Sequence, residues 1–390
     1  MRITDVEPIL LRGTQTYQAT AGSDEALDNG DWQLLVKVTT DEGLVGWSDA
    51  ETLASAAVAC INGPGMSVLG FRSLRDLLIG ENPLDTEAIW DRLYVGSCYY
   101  GRRGVAMHCI SAIDNCLWSI RAQAAGVPLG QLFGPRHCDS VRAYASTLFR
   151  ETPEAMAAAA RHYVERGFHA VKFGWGVFGE DPVRDVELVA AAREALGPNR
   201  ELMVDPGWYG AGWKGPWRPR TLAENHALCA SLTPYRVRWI EDFIHPEKFD
   251  DYTAVRRNSP APLSAGEQLA TVWDFERLIK GQCVDVVQPD LTRCGGLTVA
   301  LKVARMVDEA GIELVPHSWL TDLLTAYSLH LIGSLQRPLF VEFNVAQSAL
   351  TRGVCGGALK LNADGTVTIP QEVGLGVKVD EEFVARQRVN

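Results

Sequence analysis

The chain lacks several features that define whole classes of protein. No apolar run approaches the roughly 18 residues that cross a bilayer, so no membrane partner is expected. Its 37 basic residues are outnumbered by 48 acidic ones, which gives a formal net charge of −11. Nucleic acids and anionic membrane surfaces bind clustered Lys and Arg, so neither is an expected partner. The first residues show no basic segment followed by an apolar core, and we expect a cytoplasmic protein.

Paired cysteines are also missing. The nine cysteines are scattered and include no Cys-x-x-Cys pair, which predicts buried, reduced thiols. The remaining composition is ordinary for a globular protein, with 47% hydrophobic and 22% charged residues. A length of 390 residues indicates two to three domains.

The N-terminal part has the pattern of an α+β domain. Residues 31–40 alternate apolar and polar side chains, as expected of a half-buried strand, and a turn leads to a partner strand at 44–47. The polar segment 13–30 is too long for a structural hairpin, so we expect a functional loop with Tyr17 near its tip. Helical patterns cover 74–79, 85–94 and 105–125.

From about residue 141 short apolar runs alternate with helical stretches. Eight strands with seven helices between them predict a parallel sheet, and eight in a row favour a closed barrel. The fold class is therefore α/β, a modified TIM barrel of (β/α)7β type with an α+β capping domain. We expect capping residues 1–135, a barrel over 136–345, and a segment 346–390 that returns to the cap. The predicted strands lie near 142–147, 169–174, 201–205, 237–241, 263–267, 284–288, 312–317 and 339–343.

Six successive predicted strands place an acid or a histidine at their C-terminal ends. That end of a barrel is where catalytic groups lie in this architecture. Any one of these side chains could simply cap the following helix, but six in a row indicate a site. They are Asp205, Glu241, Glu267, Asp290, His317 and Glu342.

Three of these acids predict a metal ion. Asp205, Glu241 and Glu267 belong to adjacent strands and would converge. Two carboxylates ~4 Å apart repel by roughly 4 kcal/mol at an effective dielectric of 20, so a cation should hold the trio together. Because all the ligands are oxygens, Mg²⁺ is favoured over zinc.

The other groups indicate the reaction class. His317 and Lys172 would face the metal from opposite sides, and Asp290 would orient the imidazole and raise its basicity. A base beside a metal-bound substrate carboxylate suits removal of the α-proton, because a preorganised cation stabilises the charge that develops.

The chain resembles the mandelate racemase subgroup of the enolase superfamily over nearly its whole length. The resemblance implies that Asp205, Glu241 and Glu267 bind Mg²⁺, that Asp290 and His317 form an acid/base dyad, and that Glu342 hydrogen-bonds the substrate carboxylate. It rests on the strand-end residues together with Asp41-Glu42-Gly43, Gly46-Trp47, Ala112-Ile113-Asp114, Leu117-Trp118, Leu132-Phe133-Gly134 and Gly374-Leu375-Gly376.

Two departures from the subgroup bear on function. A frequent Lys-x-Lys is reduced here to Lys172 followed by Phe173 and Gly174, which weakens a racemase reading because racemisation needs a base on each face. Lys172 is then either a base or a purely electrostatic group. A frequent Asp-x-Asn after the third strand is also absent, and an aromatic run stands there instead, which either lines the pocket or packs against the cap. This run comprises Trp208, Tyr209, Trp213 and Trp217.

One motif suggests a different protein. Residues 174–179 fit G-x-G-x-x-G after a strand, as in a dinucleotide-binding fold. That fold would not explain acids on the later strands. We therefore expect an Mg²⁺-dependent dehydratase that converts an aldonate or aldarate into a 2-keto-3-deoxy acid, with a racemase, epimerase or cycloisomerase as the alternative.

Candidate substrate-binding residues are Tyr17, Trp175, Tyr209 and Arg102. Arg102 belongs to a second cap loop, 96–103, whose Tyr99, Tyr100 and Arg103 either bind substrate or form surface and subunit contacts. The expected partner is a small carboxylate substrate, and a homo-oligomer is expected.

Overall fold

The computed structural model describes residues 1–13, 32–209, 218–345 and 348–389. Its first sheet is antiparallel, with the order β1-β2-β3. These strands are β1 (Ile3–Arg12), β2 (Trp32–Thr40) and β3 (Val45–Asp49). Gln33 departs from the expected alternation because it is buried, and its Nε2 donates to Asp49 at 3.1 Å.

Four helices complete this N-terminal unit: α1 (Ala54–Asn62), α2 (Leu74–Leu78), α3 (Thr86–Gly96) and α4 (Val105–Ala125). Helix α4 is buried on nearly all sides, as its apolar sequence predicts. It ends at Gly126, which has the left-handed φ of 68° that suits glycine after a helix.

The second sheet contains all eight strands predicted for the barrel. They are β4 (Ser140–Leu148), β5 (Ala170–Gly174), β6 (Glu201–Asp205), β7 (Ile240–Glu241), β8 (Leu263–Ala265), β9 (Val286–Val287), β10 (Glu313–Leu314) and β11 (Phe340–Asn344). Their order is β10-β9-β8-β7-β6-β5-β4-β11, and every neighbouring pair is parallel. Within the described ranges no ladder joins β10 to β11.

The seven expected helices connect these strands in turn. They are α5 (Pro153–Glu165), α6 (Pro182–Leu196), α7 (Leu222–Leu232), α8 (Phe249–Arg256), α9 (Thr271–Lys280), α10 (Gly296–Ala310) and α11 (Asp322–Ser334). This continuing strand–helix alternation confirms the modified barrel and is not the order of a dinucleotide-binding sheet.

A layer of side chains inside the sheet shows that it curls. Tyr144 of β4 packs edge-on against Trp239, just before β7, with ring centroids 5.8 Å apart. Both also pack against Phe340 of β11, so strands far apart in the sheet order meet in one interior. This buried layer comprises Tyr144, Ala170, Met203, Trp239, Val286, Val315 and Phe340.

The C-terminal segment contacts both sheets. Strand β12 (Thr366–Thr368) pairs antiparallel with β4, and α13 (Glu381–Gln387) follows a short α12 (Ala349–Gly353). Beyond α13, the Val389 N–H donates to the Leu10 carbonyl at 2.8 Å, and Arg388 forms an ion pair with Glu7. The segment is thus hydrogen-bonded to the second sheet through β12 and to the first sheet through Val389.

Two buried aspartates join the N-terminal unit to barrel helices. Asp114 of α4 accepts hydrogen bonds from the backbone N–H and the hydroxyl of Thr298, at 2.8 and 2.6 Å, in the first turn of α10. Asp49 of β3 accepts from the Leu324 N–H and the Thr321 hydroxyl at the start of α11. Burial raises the pKa of each carboxyl to about 7, against the lowering effect of these hydrogen bonds.

All nine cysteines are free thiols, and most of them are buried, as expected. Among the described residues, no helix combines the length and the hydropathy that a membrane span needs.

Replacing Asp114 with alanine should destabilise the fold, because it removes a helix cap and leaves a buried N–H without a partner. We expect a loss of about 2–4 kcal/mol in the free energy of unfolding, measured by urea denaturation. Glu87→Ala is the matched control, since Glu87 joins the same two units through an exposed ion pair with Lys302. That change should cost under about 1 kcal/mol. Equal losses would contradict a special role for Asp114.

Candidate active site

A cavity of about 370 Å³ lies at the C-terminal ends of the barrel strands. It brings together six of the predicted site residues, from five different strand ends. They are Lys172, Trp175, Asp205, Glu267, His317 and Glu342. The predicted convergence at this end of the barrel is therefore what the structure shows.

The ladders of three strands end before the predicted site residues, of which Glu267 and His317 still line the cavity. Glu267, Asp290 and His317 follow β8, β9 and β10 by two or three residues. Pro289 and Pro316 lack the N–H that would extend the ladders. A single parallel bridge nevertheless links Asp290 to His317, and this bridge brings the two side chains side by side.

Asp290 and His317 form a tight hydrogen-bonded pair. His317 Nδ1 lies 2.6 Å from Asp290 Oδ2, while Asp290 Oδ1 accepts from the N–H and the hydroxyl of Thr292. Burial alone would raise the pKa of Asp290, but the bond to His317 and the charge of Arg293 lower it to about 2. A permanently charged aspartate fixes the imidazole with Nδ1–H toward Asp290 and Nε2 toward the cavity.

The other imidazole nitrogen faces a carboxylate. His317 Nε2 lies 3.2 Å from Glu267 Oε2. Burial opposes protonation of His317, but Glu267 and Glu342, together with the Asp290 bond, raise its pKa to about 10. The same attraction holds the pKa of Glu267 below its usual value, although burial would raise it.

Lys172 is enclosed by carboxylates in the same cavity. Its Nζ contacts Glu241 Oε1 and lies 2.8 Å from Glu342 Oε1. Ser146 also donates to Glu342, and the Ser318 N–H donates to its other oxygen at 2.7 Å. Burial would lower the pKa of Lys172, but the two carboxylates raise it well above its ordinary value. The lysine therefore stays charged.

The three predicted metal ligands are buried at adjacent strand ends. Burial and the charges of Glu241 and Glu267 raise the pKa of Asp205 well above its usual value. Glu241 accepts from Trp239 at 2.8 Å and from Gln288 at 2.9 Å, which leaves its other oxygen on Lys172. Three mutually repelling, oxygen-only donors suit a divalent cation such as Mg²⁺, although in the described residues their ligand atoms do not all lie within 4.8 Å of one another.

A second group of ligand-type atoms lies nearby. One ligand atom from each of Glu51, Asp290 and His317 falls within 4.8 Å of the others. Ion pairing explains this group without a metal, because Glu51 is paired with Arg293 and Asp290 is bonded to His317. We therefore retain the trio of Asp205, Glu241 and Glu267 as the predicted metal site.

Gly174 lies directly against one of these predicted ligands. A Cβ added at Gly174 would stand 2.8 Å from Asp205 Oδ2, closer than real side chains approach. The position at which the family resemblance implies a second lysine is thus occupied by a glycine packed on Asp205.

Arg293 is the main residue that sequence reasoning missed. Its guanidinium lies 2.6 Å from Glu51 and 3.2 Å from Glu267, and its Nε is 3.7 Å from Asp290. Arg293 thereby connects the N-terminal unit, called the capping unit from here on, with the predicted metal site and the Asp290–His317 dyad. Arg293 could have been predicted from the sequence, because it stands only three residues after Asp290. Glu51 could not, because it is brought to the cavity only by the packing of β3 against the barrel.

The candidate substrate-binding residues divide into three groups. Trp175 lines the cavity with an unusual left-handed φ of 48°, and Tyr209 packs edge-on against it at 5.2 Å between ring centroids. Arg102 does not reach this cavity; it is exposed and lines a separate one with Arg103 and Trp273. Tyr17, Trp213 and Trp217 lie outside the described residues.

Sequence comparisons place both parts of the chain in one family. Residues 155–383 match the model of the enolase C-terminal domain-like family, and residues 31–134 match the mandelate racemase / muconate lactonizing enzyme N-terminal domain. A D-galactarolactone cycloisomerase of Agrobacterium fabrum is 30% identical, with 91% of each chain covered. A D-galactonate dehydratase of Pectobacterium atrosepticum is also 30% identical, over 92% of this chain and 91% of the relative.

Solved structures give the same result. The 3,6-anhydro-D-galactonate cycloisomerase of Zobellia galactanivorans superposes with a TM-score of 0.86 at 28% identity, over the whole of both chains. A racemase of Streptomyces coelicolor A3(2), solved with bound magnesium, has a TM-score of 0.81 at 25% identity, covering 99% of this chain and all of that one. With these matches and the strand-end site in place, the chain belongs to the mandelate racemase subgroup of the enolase superfamily.

Proposed function

We propose that this protein is an Mg²⁺-dependent dehydratase of an acid sugar. It would remove the proton α to the carboxylate and eliminate the 3-hydroxyl, giving a 2-keto-3-deoxy acid. The observation that carries the proposal is the asymmetry of the cavity. The imidazole of His317 is oriented by Asp290, whereas position 174, two residues after Lys172 on β5, is a glycine packed on Asp205, so the described lining offers one oriented imidazole and no second lysine.

Asp205, Glu241 and Glu267 are the residues that would hold Mg²⁺. When bound, the ion supplies a Lewis acid that stabilises negative charge developing on the substrate carboxylate. Its charge would also relieve the repulsion among the three buried carboxylates. Asp205 and Glu267 line the cavity, so a substrate there lies next to the proposed ion.

His317 is the proposed base. Asp290 holds Nδ1, so in the neutral imidazole Nε2 carries the lone pair and faces the cavity. Without a cation, Glu267, Glu342 and Asp290 raise the pKa of His317 to about 10; a cation held by Glu267 would offset that carboxylate and favour the neutral imidazole that a base requires. After taking the α-proton, the same imidazolium can protonate the departing hydroxyl if both groups lie on its face. One residue would then serve both steps of a syn elimination.

Lys172 is proposed to act through its charge. Its Nζ is held by Glu241 and Glu342, which favour the charged form, and this suits a role in stabilising charge. It can stabilise the substrate carboxylate and the charge that develops there. Gly174 offers no second base, and an elimination needs only one, whereas a racemisation needs two.

A cycloisomerase is the second candidate, because two of the relatives described above have that activity in their names. The chemistry differs only in the leaving oxygen. If the oxygen β to the carboxylate is part of a ring, the same elimination opens the ring and yields an isomer without losing water. The dyad described here would serve either reaction.

A panel of acid sugars and their lactones or anhydro forms, incubated with the protein and Mg²⁺, should separate these candidates. We expect a 2-keto-3-deoxy product whose mass is lower than the substrate's by one water, detected by mass spectrometry and semicarbazide assay. A product of unchanged mass that also reacts with semicarbazide would identify a cycloisomerase, whereas one of unchanged mass that does not react would indicate an epimerase or racemase. Activity that survives complete removal of metal by EDTA would overturn the metal-dependent proposal.

Changing His317 to Asn should lower turnover by at least about 10²–10⁴-fold while the protein stays folded, because the single base is lost. Asp290→Asn should also be impaired, since the imidazole loses its orienting charge. In D₂O the wild-type enzyme should leave recovered substrate with its original C2 configuration, as read by NMR. His162→Asn, an exposed change on α5, is the control. Accumulation of a C2 epimer would require a second base.

Replacing Lys172 with Met should destabilise the metal-free protein, because Glu241 and Glu342 would be left buried without a counter-charge. We expect a loss of about 3–5 kcal/mol in the free energy of unfolding. The matched control is Lys280→Met, which breaks an exposed ion pair with Glu276 and should cost under about 1 kcal/mol. A Lys172→Met protein as stable as the control would mean that the carboxylates are compensated by other groups.

A further inference from the structure

Each positively charged side chain that lines the cavity in the described ranges already has carboxylate partners. Lys172 is bound to Glu241 and Glu342. His317 lies between Asp290 and Glu267. The third cation, Arg293, is shared by three acids, Glu51, Glu267 and Asp290. The described wall therefore has no unengaged cation to receive a second carboxylate from a substrate.

The capping unit presents a negative group to the same cavity. Glu51 follows β3 and lines the cavity opposite the barrel strands. One of its oxygens, Oε1, is paired with Arg293 at 2.6 Å. The other oxygen, Oε2, is buried and has no hydrogen-bond partner among the described residues. A buried oxygen without a donor is costly, so a ligand that brings an O–H group to it would be favoured.

We propose that the substrate is a monocarboxylate, an aldonate-type acid sugar whose neutral hydroxyls face Glu51, and not a dicarboxylate such as an aldarate. This inference rests on the proposed function and deepens it. A hydroxyl can donate to Glu51 Oε2. A second carboxylate at that wall would instead meet a like charge, which costs several kcal/mol at a closed interface.

Protonation of Glu51 would not reverse this preference. Burial raises the pKa of Glu51 and Arg293 opposes the rise, yet in neither form does the side chain offer positive charge. The pairing of Glu51 with Arg293 gives a way to change this preference for a monocarboxylate. If the charge at Glu51 were removed, Arg293 would lose its closest carboxylate and could receive a substrate carboxylate itself.

The test compares pairs of acid sugars that differ only at C6, galactonate with galactarate and gluconate with glucarate. For whichever configuration is turned over, wild-type kcat/KM should favour the aldonate by at least about tenfold. In Glu51→Gln this ratio should fall by at least about tenfold, because the shape is kept while the negative charge is lost and Arg293 is released. Glu81→Gln is the matched control, since it changes a capping-unit glutamate paired with Arg92 outside the cavity, and its ratio should equal that of the wild type.

Each outcome decides the inference. A wild-type enzyme that eliminates water equally well from aldarates, or a Glu51→Gln ratio like that of the control, would overturn the monocarboxylate proposal and leave the dehydratase proposal standing. Turnover of neither member of either pair, together with no water loss from any acid sugar of the panel above, would overturn the dehydratase proposal and this inference with it. If Glu51→Gln does not fold, as judged by circular dichroism, the wild-type ratio alone decides.

Discussion

Repulsion among buried carboxylates is the constraint on which this site depends. Asp205, Glu241, Glu267, Asp290 and Glu342 all lie at one end of one barrel, and all are buried. Lys172, His317 and Arg293 lie between them, each bound to more than one acid. The barrel can hold so much negative charge only because every cation is shared, and a divalent ion at the predicted trio would compensate more of it.

The curl of the sheet produces this concentration of charge. The interior layer formed by Tyr144, Trp239 and Phe340 brings distant strands around a common centre, and the acids stand just above it at the strand ends. Lys172 Nζ lies 5.6 Å from the centre of the Tyr144 ring, so the apolar layer forms the floor of the site. The curl of the sheet therefore accounts both for the packing of the barrel interior and for the concentration of charge at the strand ends.

Much of this could be predicted from the sequence, because parallel strands and their C-terminal residues follow local rules. The eight strands and the dyad of Asp290 and His317 are examples. Glu51 could not be predicted, because it reaches the cavity through contacts between residues far apart in the chain, such as Asp49 with the start of α11. Arg102 was misplaced for the same reason: its loop faces α9 and not the cavity, as Arg103 shows by pairing with Asp274.

The close approach of Gly174 to Asp205 has a consequence for how such enzymes could change over time. A lysine at position 174 would add a second amine on the same strand as Lys172, yet its Cβ would stand 2.8 Å from Asp205 Oδ2, on the carboxylate that the proposed metal needs. The backbone of β5 or the rotamer of Asp205 would have to shift to admit it, so a second base at this position requires at least one compensating change elsewhere.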